Sequence, residues 1–360
     1  MPAMTIASAR VPSWSPRFEV SDAVRAIRPW DRGMPRGSQD LTHFAKGYDT
    51  PDITFTPLGR TTVAGNSFCV RGEELGVLRE SLTLIGGASW AKVVPPGEKL
   101  VEIEHDAPAL VCGNLASKNY YHWTLQCFAN LLVYKGIAGE EEFSAILPSL
   151  NRFQSRLMAL SDFFGRTFEL ELDEVAAAHR GIYGNLCGGA FAFAPHPAVM
   201  AQFDALAEEV EAERSFGRRL YVSRRDASGM RGVVNEDEVC DLMLRHGFEI
   251  ITPGELSVDE QIVAFREAEV IAGPHGAGLT NLVYCRTGSR ARVIELLQES
   301  YVPGFYIRIC QAKGLEYTGL ISPDVSPAGA AAGQAAKARN FNNVSSAVDL
   351  GRLARLLAEL

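Results

Sequence analysis

Residues 269–281 read EVIAGPHGAGLTN, and the fold of the chain turns on them. Val270, Ile271 and Ala272 form a short apolar run suited to a buried strand, and it passes directly into a glycine-punctuated turn that opens a helix. In open parallel sheets ligands bind beyond the carboxyl ends of the strands, which is where the GPHGAG segment falls. Gly273, Gly276 and Gly278 carry no Cβ and let a ligand come close to the backbone. A helix opening near Ala277 would add unpaired N–H groups and the positive end of a dipole, a combination that favours phosphate. His275 supplies a hydrogen-bond donor, charged or neutral, and Asn281 follows on the first turn beyond. The competing reading is a tight strand-to-helix turn that needs small residues for packing alone.

Upstream, LYVSRR (residues 220–225) reads as a second strand. Asn235 then stands where a helix cap belongs, with Glu238 three residues later as for a capping box, before the one-sided apolar positions Val239, Leu242 and Met243. FEIITP follows as a strand, Ser257 and Glu260 repeat the capping arrangement, and a helix carries Ile262, Val263 and Phe265 into EVIAG. Downstream, RVIELL supplies the next strand. Strands separated by helices of about ten residues imply parallel pairing through crossovers, a Rossmann-like domain. Arg224, Arg225 and Arg231 cluster after LYVSRR on the same expected rim as the glycine turn. Taken alone, three arginines on a loop read as a solvated surface; beside GPHGAG they read as cations that offset a diphosphate. Glu295, near the end of RVIEL, suits the hydroxyls of a ribose, or else is a strand-end carboxylate facing water.

A second constellation lies in NYYHWTLQCF, after the buried-strand candidate PALVCGNL. Helical spacing from Tyr120 to Tyr134 places His122 and Gln126 four apart on one face, and Asn119 is positioned as the cap. His122 is a candidate general base because an imidazole titrates near neutrality, against the plainer reading of a buried structural histidine. Around this segment, ITFTP, TTVAG and LTLIG read as short strands between Ile53 and Val94, FSAILP reads as a further strand, and helices are expected near Arg152–Phe164 and Ala198–Glu213. The tract SPDVSPAGAAAGQAAKARN reads as a flexible connector. In the closing DLGRLARLLAEL, Leu350, Leu353, Leu356 and Leu357 share a face that a packed helix would bury.

At 360 residues with 47% hydrophobic and 22% charged residues, the chain has material for two cores and the balance of a globular protein. A net charge of -8 excludes broad capture of a nucleic-acid backbone, though a few local cations suffice for a small anion. The seven cysteines are scattered and never form a CxxC pair, which points away from a disulfide framework or zinc knuckle and toward a reducing compartment. The opening residues lack a secretory core and no run reaches the roughly 18 apolar residues of a spanning helix, so the expectation is a cytoplasmic protein with peripheral contact at the inner face of the membrane left open. GxxxxGK[ST], GxSxG, HExxH and GxGxxG signatures are all missing from the sequence, as is a DxD pair at a strand end that would ligate a phosphate-bridging metal.

Taken in order, NYYHW (119–123), YVSRR (221–225), Arg231 with NEDE (235–238), LSVDEQI (256–262), AEVIAGPHGAGLTNLVY (268–284) and VIEL (293–296) form a series that resembles glycosyltransferase family 61. Bacterial members of that family are often labelled capsular polysaccharide biosynthesis proteins. The resemblance runs from about Ala109 to Leu297 and carries little of the first hundred residues. It implies an α/β, GT-B-like arrangement of two Rossmann-like domains facing a cleft, and an inverting hexosyl- or pentosyltransferase that needs no metal or cofactor. Its donor would be a nucleotide sugar, with a UDP-sugar expected, and its acceptor a glycan or other hydroxyl. Position by position, Arg224, Arg231, Asn235, Gln261, Pro274, His275, Gly276, Ala277, Asn281 and Glu295 match the family's donor-side signature; with Gly278 of the glycine turn they are the expected donor-binding residues, and His122 is the expected catalytic base. The expected layout is an irregular N-terminal arm (1–50), an acceptor-side α/β domain (51–213), a donor domain (214–325), the connector (326–345) and a packing helix (346–360). One departure stands out: where bacterial relatives commonly carry an acid four residues after the histidine of the HW motif, this chain has Gln126, and an amide is no base. A non-catalytic nucleotide-sugar or glycan binding protein of the same fold is the alternative.

Overall fold

The computed structural model describes residues 3–21, 41–85, 99–188, 191, 194–226, 232–325 and 344–360. The chain divides into two compact units, one of Met1–Arg10 with Asp49–Leu206 and one of Val11–Tyr48 with Ala207–Leu360.

The second unit is built on a six-stranded sheet in the order Glu249–Ile251, Arg219–Val222, Val270–Pro274, Arg292–Gln298, Glu316–Ser322, Arg17–Val20. Every neighbouring pair is parallel. After Arg219–Val222 the chain lays Glu249–Ile251 on one side and then returns to lay Val270–Pro274 on the other. The switch in strand order therefore lies between Val222 and Pro274, the place where open α/β sheets bind ligands. Within the stretch read as an irregular arm, Arg17–Val20 supplies an edge strand by pairing with Glu316–Ser322.

Side chains alternate across the strands. Ile294 and Leu296 share a core with Val239, Leu242 and Met243 of the helix Glu236–Arg245 and with Leu353, Leu356 and Leu357 of the terminal helix Leu350–Ala358. Burial of leucines of this kind stabilises by roughly 1.5–3 kcal/mol each on the apolar-area scale. The intervening Val293, Glu295 and Leu297 point to the opposite face, where Leu297 meets Val20, Val302 and Ile321.

One local expectation for this unit is corrected. Ser257 and Glu260 form their capping box, but Asn235 makes no side-chain cap and no box with Glu238. Its amide is engaged elsewhere: Nδ2 donates to the Val348 carbonyl and Oδ1 accepts the Val348 N–H, both at 2.9 Å. The helix expected after the glycine turn is present, Ala277–Tyr284, wound as a 3-10 helix.

The first unit carries a nine-stranded sheet that is mixed, where a second Rossmann-like sheet was expected. Thr167–Leu170, Ser144–Pro148, Ala109–Val111, Glu174–Gly184 and Lys99–Ile103 pair in parallel. Ile53–Ala64, Val70–Gly72, Gly76–Val77 and Met4–Ile6 extend the sheet in antiparallel fashion. The LTLIG segment is no strand over its described residues, because Arg79–Ile85 is a 3-10 helix. Ser81 there donates to the Leu78 carbonyl and accepts the Val70 N–H, the local side-chain bonding that competes with a sheet ladder. Among the described residues no helix is long and apolar enough to cross a membrane.

Candidate donor turn and catalytic histidine

The two loops at the switch point meet. Arg224, two residues beyond the Arg219–Val222 strand, donates from Nη1 to the carbonyl of His275 at 2.6 Å. A Cβ on Gly276 would lie 2.4 Å from Arg224 Nε, so the glycine is what admits the guanidinium. The backbone there is extended, with φ at 179°, so room and not backbone strain accounts for the glycine. Gly273 permits strand contact in the same way, since a Cβ would lie 2.8 Å from the Val222 carbonyl. Pro274 ends its strand opposite Leu296, and the turn at Ala277 and Gly278 is half-buried.

Glu236 anchors the arginine loop. Its Oε1 accepts from Ser223 Oγ at 2.8 Å, from Tyr221 Oη at 3.3 Å and from the Arg224 N–H at 3.4 Å. Burial, then the Glu236 charge, pushes the Tyr221 phenol well above its usual range, so it stays a donor. Glu236 was visible in NEDE, but its reach back to residues 221–224 needs the three-dimensional fold. Arg225 pairs with Asp237 and approaches Glu236 at 4.0 Å, so it is partly neutralised by the helix beside it. Arg231 lies outside the described residues.

His275 is 7% exposed and Glu295 is 0% exposed. The two meet at 2.5 Å between Nδ1 and Oε1. Glu295 thus neither faces water nor stands open to a ribose, the two roles expected for it. Its second oxygen accepts from the Tyr317 hydroxyl at 2.6 Å. The register explains the contact, because Glu295 pairs with Gly273, two residues before His275, on the neighbouring strand. The rings of Tyr301, Phe305 and Tyr306 pack around the imidazole.

Gln261 and Asn281 are brought together: Asn281 Nδ2 donates to Gln261 Oε1 at 2.9 Å, and Gln261 Nε2 donates to the Pro253 carbonyl at 2.9 Å. Both are buried, so they fasten the Val258–Glu267 helix to the helix that follows the glycine turn. Asn235, tied to Val348, likewise joins two distant segments. A cavity of about 430 Å³ lies at the opposite rim of this sheet, lined by Arg17, Arg292 and Glu316 at the strand starts and by Trp14, Tyr317 and Leu356.

In the first unit Asn119 caps the helical start Tyr120–His122, accepting from the N–H groups of Tyr121 and His122. A π-helical segment, Trp123–Phe128, follows before Ala129–Ala138 resumes as α-helix, so the single regular helix expected from the spacing is interrupted. Such wide turns frequently accompany functional positions. His122 and Gln126 still meet, with Nδ1 and Oε1 2.8 Å apart. The amide's orientation is fixed by its other end, since Nε2 donates to the Gly188 carbonyl at 2.9 Å and Oε1 also accepts from Asn114 Nδ2 at 2.9 Å. Nδ1 of His122 therefore carries the hydrogen, and in the neutral ring Nε2 is the basic nitrogen. Asn114, within GNL, was not singled out from the sequence. Among the described residues no group of three or more His, Cys, Asp or Glu is arranged to hold a metal.

Parallel strands, crossover helices and a loop-lined switch point put the chain among the α/β proteins. A family model described as Glycosyltransferase 61 matches residues 120–294, just under half of the chain, from the helix of His122 to the strand of Glu295, and supports the resemblance to glycosyltransferase family 61. No curated protein matches it.

Proposed function

We propose that the chain is an inverting, metal-independent glycosyltransferase that moves a hexosyl or pentosyl group from a nucleotide sugar, UDP-linked by expectation, to a hydroxyl of a glycan or similar acceptor. In this reading the second unit holds the donor and the first supplies His122 as base. What carries this reading is the meeting of Arg224 and His275 at the switch point of the parallel sheet, with Gly276 between them. The guanidinium, the imidazole and the amides of the Gly276–Gly278 turn stabilise the departing diphosphate electrostatically, work that a metal does elsewhere. His122, with its hydrogen fixed on Nδ1, takes the acceptor proton on Nε2.

Calorimetry of the full chain against UDP, GDP and their sugars tests the donor half of the reading, followed by transfer assays with the ligand that binds. His275→Ala or Arg224→Ala should lower turnover by about 10²–10³-fold, the loss typical of one oxyanion-stabilising donor. Wild-type turnover in both variants would refute the assignment. The non-catalytic alternative draws on Gln126, a buried amide at the position where the family resemblance implies an acid. Donor binding with neither transfer nor hydrolysis across an acceptor panel would favour it.

A further inference from the structure

Three residues on three successive strands or strand ends form one hydrogen-bonded line: His275 after Val270–Pro274, Glu295 in Arg292–Gln298 and Tyr317 in Glu316–Ser322. Val293 pairs with Tyr317, and Glu295 lies two residues on, so Glu295 and Tyr317 share a face of the sheet. A carboxylate with no solvent contact must find donors within the protein. Each Glu295 oxygen has one: His275 Nδ1 at 2.5 Å and Tyr317 Oη at 2.6 Å. Because a carboxylate only accepts, Nδ1 carries a proton and the ring is held in one orientation. The charges about the imidazole act in opposite senses. The Arg224 guanidinium on the His275 carbonyl disfavours a second cation, and the Glu295 anion favours one; Tyr301 and Tyr306 contribute their rings beside the stacked Phe305. Burial first, and the neighbouring Glu295 charge next, push the Tyr317 phenol well above its ordinary range, so it remains a donor across neutral pH.

We propose that Glu295 and Tyr317 are positioning residues for His275. The carboxylate fixes the Nδ1 proton and steadies the imidazolium, so that Nε2–H donates to a phosphate oxygen of a bound nucleoside diphosphate, and the Tyr317 hydroxyl keeps the carboxylate in register. This rests on the reading of the glycine turn as a diphosphate site.

The test uses the full-length protein labelled with ¹⁵N in its histidines, the His275 signals being assigned by their loss in His275→Asn. Wild type should show Nδ1 protonated. Glu295→Gln should lower the imidazolium fraction at a given pH and weaken UDP binding about 10- to 100-fold, as expected for loss of a buried charge partner. Tyr317→Phe should weaken binding by a smaller factor, about 3- to 10-fold, the size of one hydrogen bond. Glu295→Asp, which keeps the charge, should recover part of the ring signature. Wild-type ring signals and UDP affinity in both Glu295→Gln and Tyr317→Phe would overturn the proposal, and the Tyr317 variant carries the test if the Glu295 one does not fold. Altered ring signals in the variants, with no UDP binding by wild type, would instead overturn the diphosphate reading and leave the positioning pair standing.

Discussion

His275 and His122 each have Nδ1 bonded to a buried side chain, yet one partner is a carboxylate and the other an amide. At His275 the partner is Glu295, 2.5 Å away, with Tyr317 behind it. At His122 it is Gln126, 2.8 Å away, pinned by Gly188 and Asn114. Both partners fix a tautomer, but a charge alone makes the imidazolium more stable. The pairing with Glu295 suits a ring that donates to an anion, and the pairing with Gln126 suits a ring that begins neutral and accepts a proton. A side chain unable to act as a base thus still fixes the tautomer of the imidazole beside it.

Removing His122 gives the largest expected effect. His122→Ala should lower kcat by about 10²–10⁴-fold, the range for a lost general base, with donor affinity measured by calorimetry little changed. Unchanged kcat would show that the amide-paired ring is structural and that the contrast between the two histidines has no catalytic meaning.

Exchanging the partner sharpens the comparison. In Gln126→Glu one carboxylate oxygen would replace the amide nitrogen that now donates to the Gly188 carbonyl, setting acceptor against acceptor. The variant should lose about 1–3 kcal/mol at neutral pH by denaturant unfolding, the penalty for an unsatisfied buried polar group. Burial raises such an acid's pKa in the folded state. The deficit should therefore be complete above that raised value and shrink as pH falls toward the unfolded pKa of about 4.3. A deficit independent of pH would mean that the carboxylate had found another donor.

A third histidine supplies the mildest case. His196 is buried with backbone partners on both nitrogens: Nε2 meets the Ala7 carbonyl at 3.1 Å and Nδ1 accepts the Ala198 N–H at 3.0 Å. Burial holds its pKa below the usual value, in spite of the Ala7 bond. A depressed folded pKa means stability that is present above the unfolded value of about 6.5 and lost as pH falls through the folded one. Thermal unfolding of wild type minus that of His196→Gln should show this as a modest difference that narrows on acidification from pH 7 to 5. A constant difference would place the acid sensitivity elsewhere.

Much of the second unit was legible because its signals are local. EVIAG, RVIELL and LYVSRR are short β-branched or aromatic runs that suit buried strands, and Ser257 with Glu260 caps its helix through neighbours in sequence. The glycine turn was legible for the same reason. The contacts that give its residues their tasks were not, since they arise between strands. His275 and Glu295 are 20 residues apart and meet only through the register that pairs Gly273 with Glu295. Asn235 read as a cap because caps are the commonest use of asparagine before a helix, and it was diverted by a backbone segment 113 residues away. The π-helical segment after His122 left no trace in the apolar spacing, which fits one regular helix equally well. The short strands of the first unit were clearer than their partners, and the mixed sheet depends on antiparallel pairing with Ile53–Ala64 that no single segment encodes.

The bond pair between Asn235 and Val348 also bears on where the gene can be cut. It ties the head of the helix after Arg224 to residues 344–360, whose leucines complete the core on that side of the sheet. A fragment trimmed to the matched residues 120–294 would lose those leucines, Glu295 itself and two strands of the parallel sheet. The family signature stops short of this core; a piece that keeps the second unit whole has to include both Val11–Tyr48 and Ala207–Leu360.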